Sequence, residues 1–291
     1  MESSELIKKV RKIEIKTRGL SHQLFSGEYH SAFKGRGMAF SEVREYMPGD
    51  EIRTIDWHVT ARLNHPYVKI FEEERELTVV LLVDVSGSQS FGTKKQFKED
   101  LVTELCATLS FSAIMNNDKI GVIFFTDRIE KFIPPKKGRS HILRIIKELL
   151  DFKTVSKKTN IEMALGYLSN VIKKRSVVFI LSDFIDNNFE DAIKIANKKH
   201  DLVAIHIYDD REQDIPDIGI VPFQDAENSA IQWIDTSNIK SREFFKSMSE
   251  KRNSALGEIF RKNGVDAVHL STHESYVQPL VNVFKQREKR R

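Results

Sequence analysis

The stretch Thr78-Val-Val-Leu-Leu-Val-Asp84-Val-Ser86-Gly-Ser88 decides the fold of this chain. Through Val83 it is continuously apolar instead of alternating, which predicts a strand buried on both faces, as in a parallel sheet covered by helices. After Val83 it changes to an acid, two serines and a glycine, the composition of a turn at the carboxyl end of such a strand.

The same reading recurs outward from that point. Residues 177–181 predict a further buried strand, residues 120–125, 202–207 and 265–270 predict strands, and residues 94–115, 139–152, 161–172, 189–198, 240–262 and 274–285 predict helices between and after them. Residues 129–133 predict a strand joined to 120–125 by Thr126-Asp127-Arg128 alone. That connection is too short for a crossover helix, so one of the two strands is an antiparallel edge, ended by Pro134-Pro135. Residues 218–223 and 231–234 read as a hairpin. The helix at 94–115 carries Phe97, Leu101, Leu105 and Leu109 as its apolar stripe, with Cys106 beside them as a buried thiol. The fold class is α/β, a doubly wound, mostly parallel sheet with one antiparallel edge strand.

Residues 1–77 have a different character and form an N-terminal arm or small β appendage to a main domain at 78–288. A basic amphipathic helix around Leu6, Val10 and Ile13 leads into a segment rich in Gly, Arg and acids. Arg44, Asp50, Arg53, Asp56 and Arg62 are read there as intramolecular ion pairs tying the arm to the main domain, and Trp57 as an anchor packed under the arm.

Composition excludes several classes. Of 291 residues 40% are hydrophobic and 30% charged, with 7 Pro and 13 Gly, which rules out disordered and collagen-like chains. Apolar runs fall far short of the ~20 residues that span a bilayer. Met1-Glu-Ser-Ser-Glu lacks an apolar signal core, so the cytoplasm is the expected location. One cysteine allows no internal disulfide and no cysteine zinc site, and the nine histidines lack metal-ligand spacing. Gly35-x-Gly37 lacks the third glycine of a dinucleotide site, and no Walker-type loop occurs.

In a parallel sheet, functional groups gather where strands end. Here those groups are Asp84, Ser86 and Ser88 after the first buried strand, Asp183 after residues 177–181, and Asp209-Asp210 after 202–207. Thr159 opens the helix that feeds the strand before Asp183. Two carboxylates (Asp84, Asp183) and three hydroxyls (Ser86, Ser88, Thr159) make a hard oxygen site suited to Mg2+ or Mn2+. So few carboxylates leave the ion electrophilic and open to a carboxylate from a protein partner.

Asp84-x-Ser86-x-Ser88, then Thr159, then Asp183, resembles the metal-ion-dependent adhesion site of a von Willebrand factor A domain. The resemblance implies direct coordination by Ser86, Ser88 and Thr159, with Asp84 and Asp183 acting mainly through waters. Lys157-Lys158 and Phe184 stand where that family often has glycine. The segment from Gly35 through Arg44, Tyr46, Gly49-Asp50, Arg53 and Asp56-Trp57 to Ala61-Arg62 is similar to the signature of the bacterial domain-of-unknown-function family 58. That similarity implies a setting beside a MoxR-type AAA+ ATPase and a role in complex assembly or in metal or cofactor insertion.

The function expected is therefore a non-enzymatic, metal-dependent protein-interaction module with no catalytic residue. One alternative is a magnesium-dependent phosphohydrolase or nuclease using Asp84, Asp183 and Asp209 or Asp210. Against it, Ser86 stands where a haloacid-dehalogenase-type motif has its second aspartate, and no general base is apparent. Another is nucleic-acid binding through the basic ends. The lack of interleaved aromatics and of a recognised motif counts against that, and the net charge of +4 decides nothing by itself.

Overall fold

The computed structural model describes residues 10–17, 38–73, 76–87, 97–152, 154, 156–224 and 231–290. The chain divides into two compact units, Phe33–Leu77 on the one hand and Met1–Ala32 with Thr78–Arg291 on the other.

In the smaller unit, β1 (Met38–Glu45) pairs antiparallel with β2 (Tyr67–Glu73), with a bulge between Phe40 and Glu42. A short 3-10 turn (Ile52–Thr54) and helix α1 (Trp57–Leu63) lie between them. Asp56 caps α1 by accepting from the backbone N–H groups of His58 and Val59 at 3.0 and 3.3 Å. Asn64 ends it in the left-handed region, at φ 58°. Arg44 donates both arms of its guanidinium to Asp50, at 2.9 and 2.7 Å. That pairing, with a bond from the Met47 N–H, holds the Asp50 carboxyl below its ordinary range. Arg44 and Asp50 thus pair with each other inside this unit, where the sequence reading has them tie the arm to the main domain. Trp57 does not act as a buried anchor: it is 67% exposed, on a helix with no buried residue.

The larger unit is built on one sheet of six strands in the order β10-β7-β6-β3-β4-β5. These are β3 (Thr78–Asp84), β4 (Lys119–Phe125), β5 (Ile129–Lys136), β6 (Val177–Ser182), β7 (Asp201–Tyr208) and β10 (Asp266–Ser271). A separate hairpin, β8 (Ile220–Gln224) with β9 (Ile231–Asp235), follows β7. All neighbours in the main sheet are parallel except β4 and β5, so the doubly wound sheet with one antiparallel edge is as expected. Helices α2 (Lys98–Met115), α3 (Arg139–Asp151), α4 (Ile161–Val171), α5 (Glu190–Lys199), the single turn α6 (Asp210–Gln213), α7 (Ile239–Lys262) and α8 (Val277–Lys289) complete it.

Every residue of β3 from Val79 to Asp84 is buried, as is all of β6. Alternation sends Val80, Leu82, Val178 and Ile180 to a core shared with Ile161, Leu165 and Leu168 of α4, Ile193 of α5 and Phe260 of α7. Phe179, of opposite parity, meets Phe284 of α8 edge-on at 6.3 Å on the other face. Thr108 of α2 joins that face through a 3.2 Å hydrogen bond with Tyr276. Each such aliphatic or aromatic side chain contributes about 1.5–3 kcal/mol by leaving water.

Two expectations are corrected. The prolines do not end β5, which runs on through Pro134 and Pro135 to Lys136. An edge strand tolerates residues without N–H groups, and Gly121 on β4 leaves room for the Pro135 ring, which would stand 2.8 Å from a Cβ there. Phe97 is not on the buried stripe of α2. It precedes the helix and is 54% exposed, whereas Lys98 is fully buried with Leu101, Val102 and Leu105. Cys106 is buried as expected, and burial pushes its thiol up.

Within this unit, residues 10–17 are helical, with Lys16 paired to Glu104 of α2 at 2.6 Å and Glu14 to Arg139 of α3 at 2.6 Å. Among the described residues, no helix is long and apolar enough to cross a membrane.

Candidate metal centre

The chain leaves β3 for β4 on one side and later returns to β6 on the other. The carboxyl ends of β3 and β6 therefore flank a topological switch point, where a crevice opens in such sheets. Asp84 is the last residue of β3, and Asp183 immediately follows Ser182, the last of β6.

Asp84 is buried and tightly held. Its Oδ1 accepts from the Ser86 N–H at 2.9 Å and its Oδ2 from the Ser182 hydroxyl at 2.6 Å. Burial, followed by the negative charge of Asp183, keeps its carboxyl above the ordinary carboxylate range, against the lowering effect of those hydrogen bonds. A cation in the crevice would relieve both causes.

The turn after Asp183 is held by its own backbone. The Phe184 N–H donates to Ser182 Oγ at 3.0 Å and the Ile185 N–H to Asp183 Oδ1 at 3.2 Å. Phe184 lies in the left-handed region at φ 52°, a conformation that costs a side-chain-bearing residue on the order of 1 kcal/mol. This explains why glycine suits the position. The cost is outweighed by burial of its ring against Phe189 at 6.0 Å and Phe260 at 5.1 Å.

Ser86 is buried beside Asp84. The Gly87 N–H donates to the Lys157 carbonyl at 3.0 Å, joining the turn after β3 to the loop that carries Thr159. Thr159 is half-buried just ahead of α4, whose first turn is capped by Asn160, accepting from Met163 N–H at 2.8 Å, and by Asp186, accepting from Ile161 N–H at 2.7 Å. Asp84, Ser86 and Asp183 are thus brought together, with the Thr159 loop tied to them. Ser88 lies outside the described residues.

One participant was not anticipated. The side chain of Lys98, at the start of α2, is fully buried, with its Nζ 3.2 Å from Asp183 Oδ2 and 2.6 Å from Glu212 Oε1. Desolvation opposes its charge, but the two carboxylates win and raise its pKa. A sequence signal existed: Lys98 falls at helical spacing with Leu101, Val102 and Leu105, and a lysine on an apolar stripe needs buried counter-charges. Glu212 was legible too, because Asp209-x-x-Glu212 is a capping-box spacing, and the box forms at α6.

Asp209 and Asp210, at the end of β7, belong to a different cluster. Asp209 Oδ2 accepts from the Thr272 hydroxyl at 2.7 Å and its Oδ1 from the Arg211 N–H at 2.9 Å, while Asp210 Oδ1 accepts from Ser271 at 2.7 Å. Both are held by hydroxyls, and Asp209 also by the helix start.

Among the described residues there is no group of three or more His, Cys, Asp and Glu side chains placed to hold a metal. Of the five expected ligands, the described residues supply two carboxylates at one switch point, the Ser86 hydroxyl and a threonine loop tied alongside. Such oxygens fit a hard dication that keeps several waters, and do not fit a soft metal.

Comparison with known proteins agrees with the signature in residues 35–62. Uncharacterized protein Mb1516 of Mycobacterium bovis and Rv1480 of Mycobacterium tuberculosis are each 25% identical over 292 aligned positions, covering 99% of this chain and 92% of theirs. YeaD of Bacillus subtilis is 26% identical over 109 residues, 38% of this chain and 25% of that protein. Among solved structures, BatB of Bacteroides thetaiotaomicron is similar at 14% identity and a TM-score of 0.48, covering 73% of this chain and 99% of its own. The SpRpn10 VWA domain is similar at 9% identity and a TM-score of 0.40, over 71% of this chain and 94% of its own. The model of the family described as protein of unknown function DUF58 matches residues 42–255, so the chain belongs to that family.

Proposed function

We propose that this protein is a non-enzymatic protein-interaction module that captures an acidic side chain of a partner through a bound Mg2+ or Mn2+ ion. The observation that carries the reading is the pair of buried carboxylates, Asp84 and Asp183, set with Ser86 at the switch point of the sheet. In this reading Ser86, Ser88 and Thr159 hold the ion directly, while Asp84 and Asp183 act through waters. The ion supplies a Lewis-acidic position for a carboxylate. The chain supplies the cradle: Ser182 and the Ser86 N–H fix the Asp84 carboxylate, and the bond between Gly87 and Lys157 sets the Thr159 loop beside it.

The resemblance in the N-terminal segment points to a MoxR-type AAA+ ATPase, or a client it remodels, as the partner, acting with this chain in the cytoplasm. The hydrolase alternative is disfavoured by Asp209 and Asp210, whose carboxylates are engaged with Thr272 and Ser271.

The test is a pull-down of the protein from cytoplasmic extract with magnesium, with EDTA, and with the Ser86→Ala/Ser88→Ala variant. Partners recovered only with metal and intact serines, an AAA+ ATPase among them, are the expected result. Equal recovery under all three conditions would refute metal-dependent capture.

A further inference from the structure

Lys98 has no part in the donor set, yet its side chain is fully buried at the rim of that set. Burying an ammonium is costly, and a chain gains nothing from it in stability that an apolar residue of similar size would not supply. Its geometry indicates what it does. With Nζ at 3.2 Å from Oδ2 of Asp183, and Oδ1 taken by the Ile185 N–H, both oxygens of Asp183 already accept a hydrogen bond. At 2.6 Å from Glu212, the same ammonium reaches the capping box of α6, where Glu212 Oε2 also accepts from the Asp209 N–H at 3.2 Å.

We infer that Lys98 is a tethered counter-cation of the metal site: it confines Asp183 to a water-mediated role and weakens the hold on a dication, so the bound ion stays electrophilic toward a partner's carboxylate. The inference rests on the metal-dependent reading above. Charge balance supports it. With a cation bound, three carboxylates (Asp84, Asp183 and Glu212) and the Lys98 ammonium sum to two negative charges, which one dication cancels. Without the ammonium there would be three, and the site would bind a dication tightly through Asp183 itself. With Glu212 neutralised there would be one, and binding would weaken.

A lysine serving only as a structural tie makes a different prediction, because removing either half of a tie loosens the site in the same direction. The test is a Mn2+ titration of the full chain by electron paramagnetic resonance and calorimetry, comparing wild type, Lys98→Met and Glu212→Gln. Folding of each variant is checked by circular dichroism. A nearby unit charge acting on a dication is worth at least a factor of ten in affinity even with strong screening, so Lys98→Met is expected to bind Mn2+ about tenfold more tightly. Glu212→Gln, further out and partly exposed, is expected to bind about threefold more weakly.

Opposite shifts uphold the inference. If wild type binds and both variants weaken or neither moves, Lys98 is a structural tie and the inference falls while the metal reading stands. If wild type does not bind but Lys98→Met does, the ammonium excludes the ion instead of tuning it, and both the inference and the metal-dependent function fall. If neither binds, both fall. Should Lys98→Met not fold, Lys98→Gln is titrated in its place: tighter binding upholds the inference, and weaker or unchanged binding overturns it.

Discussion

Two pairs of aspartates end neighbouring strands on the same edge of the sheet, and they are held in opposite ways. Asp209 and Asp210 at the end of β7 are each met by a hydroxyl, from Thr272 and Ser271, and Asp209 also by the first turn of α6. Asp84 and Asp183, at the ends of β3 and β6, raise each other's cost: the charge of Asp183 adds to burial in lifting the Asp84 carboxyl, and Asp183 relies on a buried lysine. The first pair is complete as a cap. In the second, burial and a neighbouring carboxylate hold the Asp84 carboxyl above its ordinary range, and this is the difference on which the proposed cation site rests.

Substitution at one residue of each pair should separate them most strongly. Asp84→Ala is expected to abolish magnesium-dependent recovery of partners. Asp209→Ala should leave that recovery intact while lowering stability by about 2–4 kcal/mol in denaturant titrations, because Thr272 and the Arg211 N–H lose a buried acceptor. Loss of magnesium dependence in folded Asp209→Ala would merge the two clusters into one site.

The turn after Asp183 gives a smaller effect of decided sign. Phe184→Gly relieves left-handed strain of about 1 kcal/mol but forfeits burial worth about 3 kcal/mol, so a net loss near 2 kcal/mol is expected by chemical unfolding. A stabilised variant would mean that strain, not packing, dominates the cation-site turn.

Acid probes the ground between the clusters. His206 pairs with Ser182 in register and lies within 2.9 Å of His269, nitrogen to nitrogen. Burial, then the neighbouring His269, drives its pKa down to about 3. The unfolded chain takes up a proton near pH 6.5 that the folded chain refuses, so this contribution to stability is full above pH 6.5 and is lost as pH falls toward 3. A decline of about 1 kcal/mol between pH 6.5 and 5.5 is expected, and a shallower decline in His206→Gln. Equal slopes in the two proteins would place the acid sensitivity elsewhere.

The sheet was legible because β3 and β6 are buried on both faces and so read as unbroken apolar runs, and because three residues between β4 and β5 permit only an antiparallel edge. Pro134 and Pro135 misled because an edge strand has no ladder bond to lose on its open side. Phe97 misled because hydrophobicity was weighed above register: one residue later, Lys98 lies on the buried stripe. Asp84, Ser86 and Asp183 could be placed from strand ends alone. The charge that answers Asp183 was missed, since a lysine near a helix start reads as a surface residue unless its register with Leu101, Val102 and Leu105 is followed.

The central claim is that the Asp84–Asp183 crevice binds a hard dication. Calorimetric titration of the wild-type chain and of Asp84→Ala with Mg2+ and Mn2+ at neutral pH tests it most directly. The account predicts a single saturable site in the wild type that disappears in folded Asp84→Ala. Identical titrations for the two proteins would contradict it.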